Sequence, residues 1–529
     1  MNDGRSLNVS NMYLERMIEM TPVIWIGIDI GTTGVRAVAY QPDGRSLADA
    51  SQEYPLHTPQ PSWAEQDPDV IIGAMENVIG KVASSLEQQG RKADGLAISS
   101  VFHSFLAYDK DGQPTTKLMT WADNRSQEIV QEIKKNYPDF LSLYHRTGCP
   151  LHPMYPMTKI AWLRRERPEV FNNSAYFGSI KDYTFKILTG QWVVDRSIAS
   201  GSGIYNLFTL EWDQDLLRYL SISEEALPKV VSTTYSQPLS REFARRAGLQ
   251  AGIPVVIGAG DGVLVNVGIG AVKPGDMSAT IGTSGAVRML TDAPRTDKKG
   301  RTWCYNLTDD VWVLGGAINN GGIALRWMRD NFSETEQRVA EKLGMDAYEL
   351  MSSYAGKVAP GSDGLIMLPF FTGERAPNWN ADARGVLFGL TLNHNKKHMI
   401  RATMEGVCYR MNSILHSLQE VTGPAHEIRV SGSFVRSDLW LQILADTFNQ
   451  AVNVPTVNEG AAFGAAVLGF VSAGILKDIS STADFVTVDK TYNPRAKEAK
   501  CYQEMYDIYN RIYWNLQQEF TDISAIQKK

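Results

Sequence analysis

Cysteine is scarce. The four in 529 residues, Cys149, Cys304, Cys408 and Cys501, are scattered without metal-ligand spacing, which excludes a disulfide scaffold and fits a reducing cytoplasm. A surplus of positive charge is missing as well: 52 Lys and Arg against 58 Asp and Glu leave a net charge of −6, with no basic face for a nucleic-acid partner. No apolar run is long enough for a membrane. The longest, GAAFGAAVLGFVSAGI at 460–475, is shorter than a span and rich in glycine, so it reads as a buried core helix. The N-terminus carries acidic residues and no apolar stretch, which excludes a secretory signal and a transit peptide. Residues 1–21 read as a loose extension, with Met17 or Met20 as alternative starts. Nor is there a disorder signature, since 43% of the chain is hydrophobic and 21% charged.

What remains is a globular chain too long for one core, and it contains a repeat. The phrase IGTTG at 30–34 returns as IGTSG at 281–285. Around the first copy the pattern is a strand over 23–30, the turn, a strand over 35–40, a third strand near 47–54, a helix opened by Asp67 and Pro68 and closed by Gly90, and the strand GLAISS. The second copy repeats strand, turn, strand in DMSATIGTSGAVRML, a third strand in DDVWVLGGAI and a helix in GIALRWMRDNF. Two similar lobes are expected, residues 22–265 and 266–529.

A turn with glycine at both ends brings bare backbone N–H groups close to a ligand, and Thr hydroxyls add donors. One copy is an ordinary hairpin turn; two copies in facing lobes describe a phosphate cradle. The phosphate candidates are Gly31, Thr32, Thr33, Gly282, Thr283 and Ser284. No Gly-Lys-Ser/Thr follows either turn, so neither is a Walker loop. Asp29 places a carboxylate where a phosphate-bound Mg²⁺ is held through water. In IGAGDGVLVNVGIG an apolar strand delivers Asp261 between two glycines, as a base for an attacking hydroxyl or as a turn residue tying its own backbone.

At this point the sequence resembles the FGGY carbohydrate kinases, a family that shares the two-lobed α/β fold of actin, hexokinase and the Hsp70 ATPase domain (ribonuclease H-like lobes). The signatures MYPMTKIAWLRRE at 154–166 and GVLFGLTLNHNKKHMIRATME at 385–405 carry the resemblance, which covers about 23–475. It implies ATP in the interlobe cleft with Mg²⁺, the two turns as phosphate sites and Asp261 as catalytic base. It also implies an adenosine site in VSGSFVRSDLWLQILADTFNQAVNVP at 430–455, with Gly432, Ser433 and Ser437 as contacts. Family members often carry a glycine pair or triplet where this chain has Ser431, Gly432 and Ser433.

The resemblance places sugar contacts in the first lobe, at VFHSF, TWADNR and HPMYP. The candidates are His103, Trp121, Asp123, Arg125, His152 and Met154, together with Asp261. Trp121, Asp123 and Arg125 alternate beyond an apolar strand, as an aromatic wall, a hydroxyl acceptor and a cation; the alternative is an Asp123–Arg125 ion pair fixing a loop. Within the family EYPLHTPQPSWAEQDPD, MTWADNRS, RTGCPLHPM and FTGERAPNWNADARG resemble the gluconate kinases. Xylulose kinases share GER and ARG but usually have Met at the place of Phe102. The implied reaction is transfer of the γ-phosphoryl group of ATP to the 6-hydroxyl of D-gluconate, with Arg125, His103 and His152 as candidates for its carboxylate. Another sugar or polyol, a sugar sensor, or an actin-like ATP-binding polymer are the alternatives. The helix pattern AKEAKCYQEMYDIYNRIYWNLQQEF at 496–520 carries an aromatic stripe, read as intramolecular packing or, for a homodimer, as a contact face.

Overall fold

The structure is a computed structural model that describes residues 23–527 apart from 138, 458 and 459. The loose extension read at 1–21 lies outside the described residues. Two mixed sheets form the frame, and six strands of each follow one plan. In the first sheet the spatial order is Ser236–Pro238, Pro254–Gly260, Gly95–Ser100, Trp25–Ile30, Gly34–Tyr40 and Ser46–Glu53. In the second it is Val488–Tyr492, Val452–Pro455, Glu427–Ser431, Asp276–Ile281, Gly285–Thr291 and Trp312–Ile318.

Neighbour by neighbour the directions agree: antiparallel, parallel, parallel, antiparallel, antiparallel. Trp303–Asn306 adds a seventh strand at the far edge of the second sheet, which the sequence pattern does not reveal. The central strands are buried on both faces by helices, and they are the apolar runs from which they were read. The helix Pro68–Gln88 starts at an Asp67 cap whose carboxylate accepts from the Asp69 N–H.

The lobes meet through two helices that leave equivalent strands, Asp261–Gly268 and Gly460–Ser472. The second is the small-residue run, and it is a core helix as expected. Its glycines permit backbone contact: a Cβ on Gly464 would lie 2.3 Å from the Leu264 carbonyl oxygen. The division drawn after residue 265 falls inside the first of these helices, and the second sheet begins at Asp276. The aromatic stripe near the C-terminus folds inward on the helix Ala496–Asn515, with Tyr502, Tyr509 and Tyr513 buried against Tyr409 and Phe370. It is engaged within the chain.

Candidate active site

Both glycine turns are locked by bonds to their carbonyl oxygens. In the first, Gly31, Thr32, Thr33 and Gly34 accept from the Tyr54 hydroxyl, the Gln66 amide, the Tyr54 N–H and the Gly31 N–H. In the second, Gly282 accepts from Gly322, Thr283 from Gly321 and Ile323, and Ser284 from Gly282. These bonds engage the acceptors and also the N–H groups of Gly31 and Gly282, which leaves the middle residues, Thr32 and Thr33 in one turn and Thr283 and Ser284 in the other, to offer donors as an anion cradle requires. The helix Gly322–Phe332 begins on the second turn and adds its N-terminal dipole there.

The turns face one cavity of about 270 Å³ between the lobes. Thr32, Gly282 and Ser284 border it, while Gly31, Thr33 and Thr283 form the turns behind them. Asp261 and Gly262 border it from the junction helix, His103, Trp121 and Met154 from the first lobe, and Arg288, Tyr305 and Arg375 from the second. The structure thus brings candidates from both turns, the junction helix and two of the sugar stretches to one cavity. Trp121 joins the sugar wall to the phosphate turn, since its indole N–H donates to the Thr32 hydroxyl at 2.8 Å.

Asp261 is the first residue of its helix and accepts from the Gly262 N–H at 2.6 Å. Burial, and then the nearby Asp29 carboxylate, push it up to about 7. Asp29, at the end of Trp25–Ile30, accepts from the Ser99 hydroxyl at 2.7 Å and is likewise raised by burial. Lys181 is a site residue that sequence reasoning misses. Its buried ammonium donates to the Ala259 carbonyl at 2.8 Å, lies 3.3 Å from Asp195, and is felt by Asp29 and Asp261. Lys159, inside the first family signature, is a second: it donates to the His103 and Thr120 carbonyls at 2.8 and 2.6 Å, tying two sugar-pocket stretches together.

His103 adopts φ 62°, a left-handed conformation that aims its ring into the cavity. Its Nδ1 bonds the Gly201 carbonyl at 2.7 Å, and its Nε2 lies 3.3 Å from the Tyr305 hydroxyl. Burial pushes it down to about 3, so the ring is neutral. His152 is likewise pushed down to about 3 by burial; its Nδ1 accepts from the Met154 N–H and its ring packs on Trp379, one step behind the cavity wall.

Asp123 and Arg125 are placed elsewhere, which corrects the alternation drawn for them. The segment after Leu118–Met119 is a turn closed by the Asp123 N–H on the Thr120 carbonyl, so alternate residues do not share a face. Asp123 holds Arg125 through Nε and Nη2 at 2.8 and 2.7 Å, Glu65 takes a third bond, and the guanidinium lies 3.6 Å from the Trp63 ring centroid. This is the loop-fixing ion pair. The carboxylate cation expected at Arg125 is absent from the cavity lining.

The adenosine candidates follow Glu427–Ser431, beside the second turn. Gly432 has φ 100° and sits so close to the Ile281 carbonyl oxygen that a Cβ would lie 2.5 Å from it. Ser433 opens the next helical turn, and Ser437 caps Asp438–Phe448 through its hydroxyl. Trp440 is buried core, and Asp446 pairs with Arg495 at 2.6 Å.

Comparison with known proteins agrees with this geometry. Residues 24–268 match the N-terminal domain of the FGGY family of carbohydrate kinases and residues 277–473 its C-terminal domain. The chain is 41% identical to the gluconokinase of Bacillus subtilis (strain 168) over 505 residues, 95% of this chain and 98% of that one. The crystal structure of the gluconate kinase from Lactobacillus acidophilus superposes with a TM-score of 0.89 at 33% identity, over 95% of this chain and all of the other. A ligand-bound xylulose kinase from the same organism superposes with 0.88 at 34% identity, over 94% and 99%. Two duplicated lobes, a paired glycine turn facing one aspartate across a shared cavity, and matches to both family domains lead to one conclusion: this chain belongs to the FGGY family of carbohydrate kinases.

Proposed function

We propose that the protein phosphorylates D-gluconate at its 6-hydroxyl, using ATP. The observation that carries the phosphotransferase chemistry is Asp261, raised to about 7, in the same cavity as both glycine turns. The choice of gluconate is supported by the near-full-length likeness to the gluconokinase of Bacillus subtilis (strain 168). The two acidophilus structures fit almost equally well, so the fold itself does not discriminate between sugars.

In the reaction the 6-hydroxyl lies against Asp261, which takes its proton as the oxygen attacks the γ-phosphorus and the bond to the β,γ-bridging oxygen breaks. Backbone donors of the two turns hold the phosphates from either lobe. Among the described residues no group of three or more His, Cys, Asp or Glu is gathered for a metal. Asp29 and Asp261, carboxylates near enough that the charge of Asp29 raises Asp261, fit a cation carried in with the nucleotide rather than one caged by protein. Asp29 would hold Mg²⁺ through water, and the ion would neutralise charge on the transferring group. Trp121 gives the sugar a flat wall, and Lys159 fixes the backbone on either side of it.

The test is ADP release with Mg·ATP against D-gluconate, D-xylulose, L-ribulose, glycerol and erythritol, for the wild type and Asp261→Asn. Gluconate should give the highest kcat/KM, and the substitution should cost about 10²–10⁴-fold in kcat with ATP binding retained. Near-normal turnover by the Asn variant removes the base assignment. A different preferred acceptor removes gluconate and leaves the kinase.

A further inference from the structure

An aldonate carries a carboxylate into the cleft, and none of the three cations named from sequence meets it. Arg125 is engaged by Asp123 and Glu65, and His103 and His152 are neutral rings. The two buried lysines nearby, Lys159 and Lys181, are both lowered by burial, Lys159 to about 7, and point at backbone carbonyls. Two guanidinium groups do border the cavity, Arg288 and Arg375.

Each has a buried Nε without a partner, and they differ in the rest. Arg375 lies over the Trp121 ring, 4.7 Å from its centroid, and donates through Nη2 to the Ile318 carbonyl at 3.1 Å, which takes up half of its Nε–Nη2 edge. It stands in the GER stretch that the chain shares with xylulose kinases, whose acceptor has no carboxylate. Its contacts are those of a group supporting the wall for any polyol.

Arg288 lies on Gly285–Thr291, the strand that leaves the second phosphate turn, and shares a face with Ala286, which also borders the cavity. At about 3.3 Å per residue, it stands roughly 10 Å along the strand from Gly285, and its Nε comes within 3.7 Å of the point that a Cβ on Gly262 would occupy, so it meets the cavity beside the junction helix. Its Nη1 donates to the Thr280 hydroxyl at 3.2 Å, and its buried Nε has no partner. That bond leaves the side of the guanidinium formed by Nε and Nη2, the edge that grips a carboxylate with two parallel hydrogen bonds. Burial lowers Arg288 only to about 10, so it stays charged at neutral pH, and Asp261 is the carboxylate whose charge it feels.

Resting on the aldonate reading above, we propose that Arg288 binds the acceptor's carboxylate through Nε and Nη2 and thereby selects sugar acids over neutral polyols. The test compares kcat/KM for D-gluconate and for D-glucitol, its neutral six-carbon counterpart, in the wild type, Arg288→Met and Arg288→Lys. Where glucitol turns over too slowly, its inhibition constant against gluconate replaces its kcat/KM. The gluconate-to-glucitol ratio should fall about a hundredfold in Arg288→Met, mainly through KM for gluconate, with part of it restored in Arg288→Lys. A rise in melting temperature with ADP certifies the fold of each variant, and Arg288→Gln replaces the Met variant if that one does not fold. A parallel loss on both acceptors, or a ratio unchanged from the wild type, overturns the assignment while gluconate remains the substrate. A wild type that prefers glucitol overturns the aldonate reading, and this assignment with it.

Discussion

In the role proposed for it, Asp261 can act as a base only while it is ionised, and its surroundings set the pH at which that holds. With burial and Asp29 pushing the carboxyl up to about 7, the free protein holds a protonated, inactive Asp261 at pH 6 and an ionised one at pH 8. kcat/KM, which reports the free enzyme, should therefore rise with pH through about 7 and then level off. Titration of the pocket histidines adds no limb near 6.5, because both are already neutral. An acid limb below pH 5 would mean that Asp261 ionises as an ordinary carboxylate. The same shift acts on stability with opposite sign. Between 3.8 and about 7 the folded state keeps a proton that the unfolded chain has lost, so this group's contribution to stability falls as pH rises through that window. Asp261 and Asp29 were legible as residues because glycine turns announce close approach to a ligand. Arg288, Arg375, Lys159 and Lys181 were not: each earns its place by meeting groups distant in sequence, and no spacing records that.

At the scale of elements, the junction of Asp261–Gly268 with Gly460–Ser472 ties packing to the proposed chemistry, because one helix starts at the aspartate proposed as base and leans on the other. In Gly464→Ala the new methyl would lie 2.3 Å from the Leu264 carbonyl oxygen, a backbone atom that cannot rotate away, so the helices must separate. A loss of about 1–3 kcal/mol in stability is expected. A fall in kcat should accompany it, since Leu264 is one helical turn from Asp261. Gly73→Ala, on the exposed side of Pro68–Gln88 with open space around it, should instead gain roughly 0.5–1 kcal/mol and leave kcat unchanged. Equal behaviour of the two variants in melting and turnover would remove the junction's role. The elements themselves were largely readable, since buried parallel strands are apolar runs and the repeated turn marks the same hairpin twice. Trp303–Asn306 escaped because it is a short edge strand whose pairing with Trp312–Ile318 is a tertiary fact. The Trp121 to Arg125 segment misled because alternation was projected past the end of a two-residue strand.

For the whole molecule, duplication places one donor turn on each lobe, so a nucleotide gripped by both must bridge them. A second cavity of about 750 Å³ lies between Lys134 and Leu151 of the first lobe and Arg410 and Trp514 of the second. Trp379 borders both this space and the cavity that holds Asp261, so one side chain stands between the two. A cleft that wide admits water, the competing acceptor for a phosphoryl group, and closing the lobes is the available way to exclude it. Each ligand alone supplies part of the contacts across the cleft, and both together supply the most and favour the closed arrangement. Small-angle X-ray scattering should then give a smaller radius of gyration with gluconate and a non-hydrolysable ATP analogue together than with either alone. Hydrolysis of ATP without sugar should be slow for the same reason, because the site is assembled only when the acceptor is present. Identical scattering in all four states, free, sugar-bound, nucleotide-bound and doubly bound, would mean that the lobes are already as close as the reaction needs. Water would then have to be excluded by the sugar itself, filling the space between Trp121, Arg375 and Asp261.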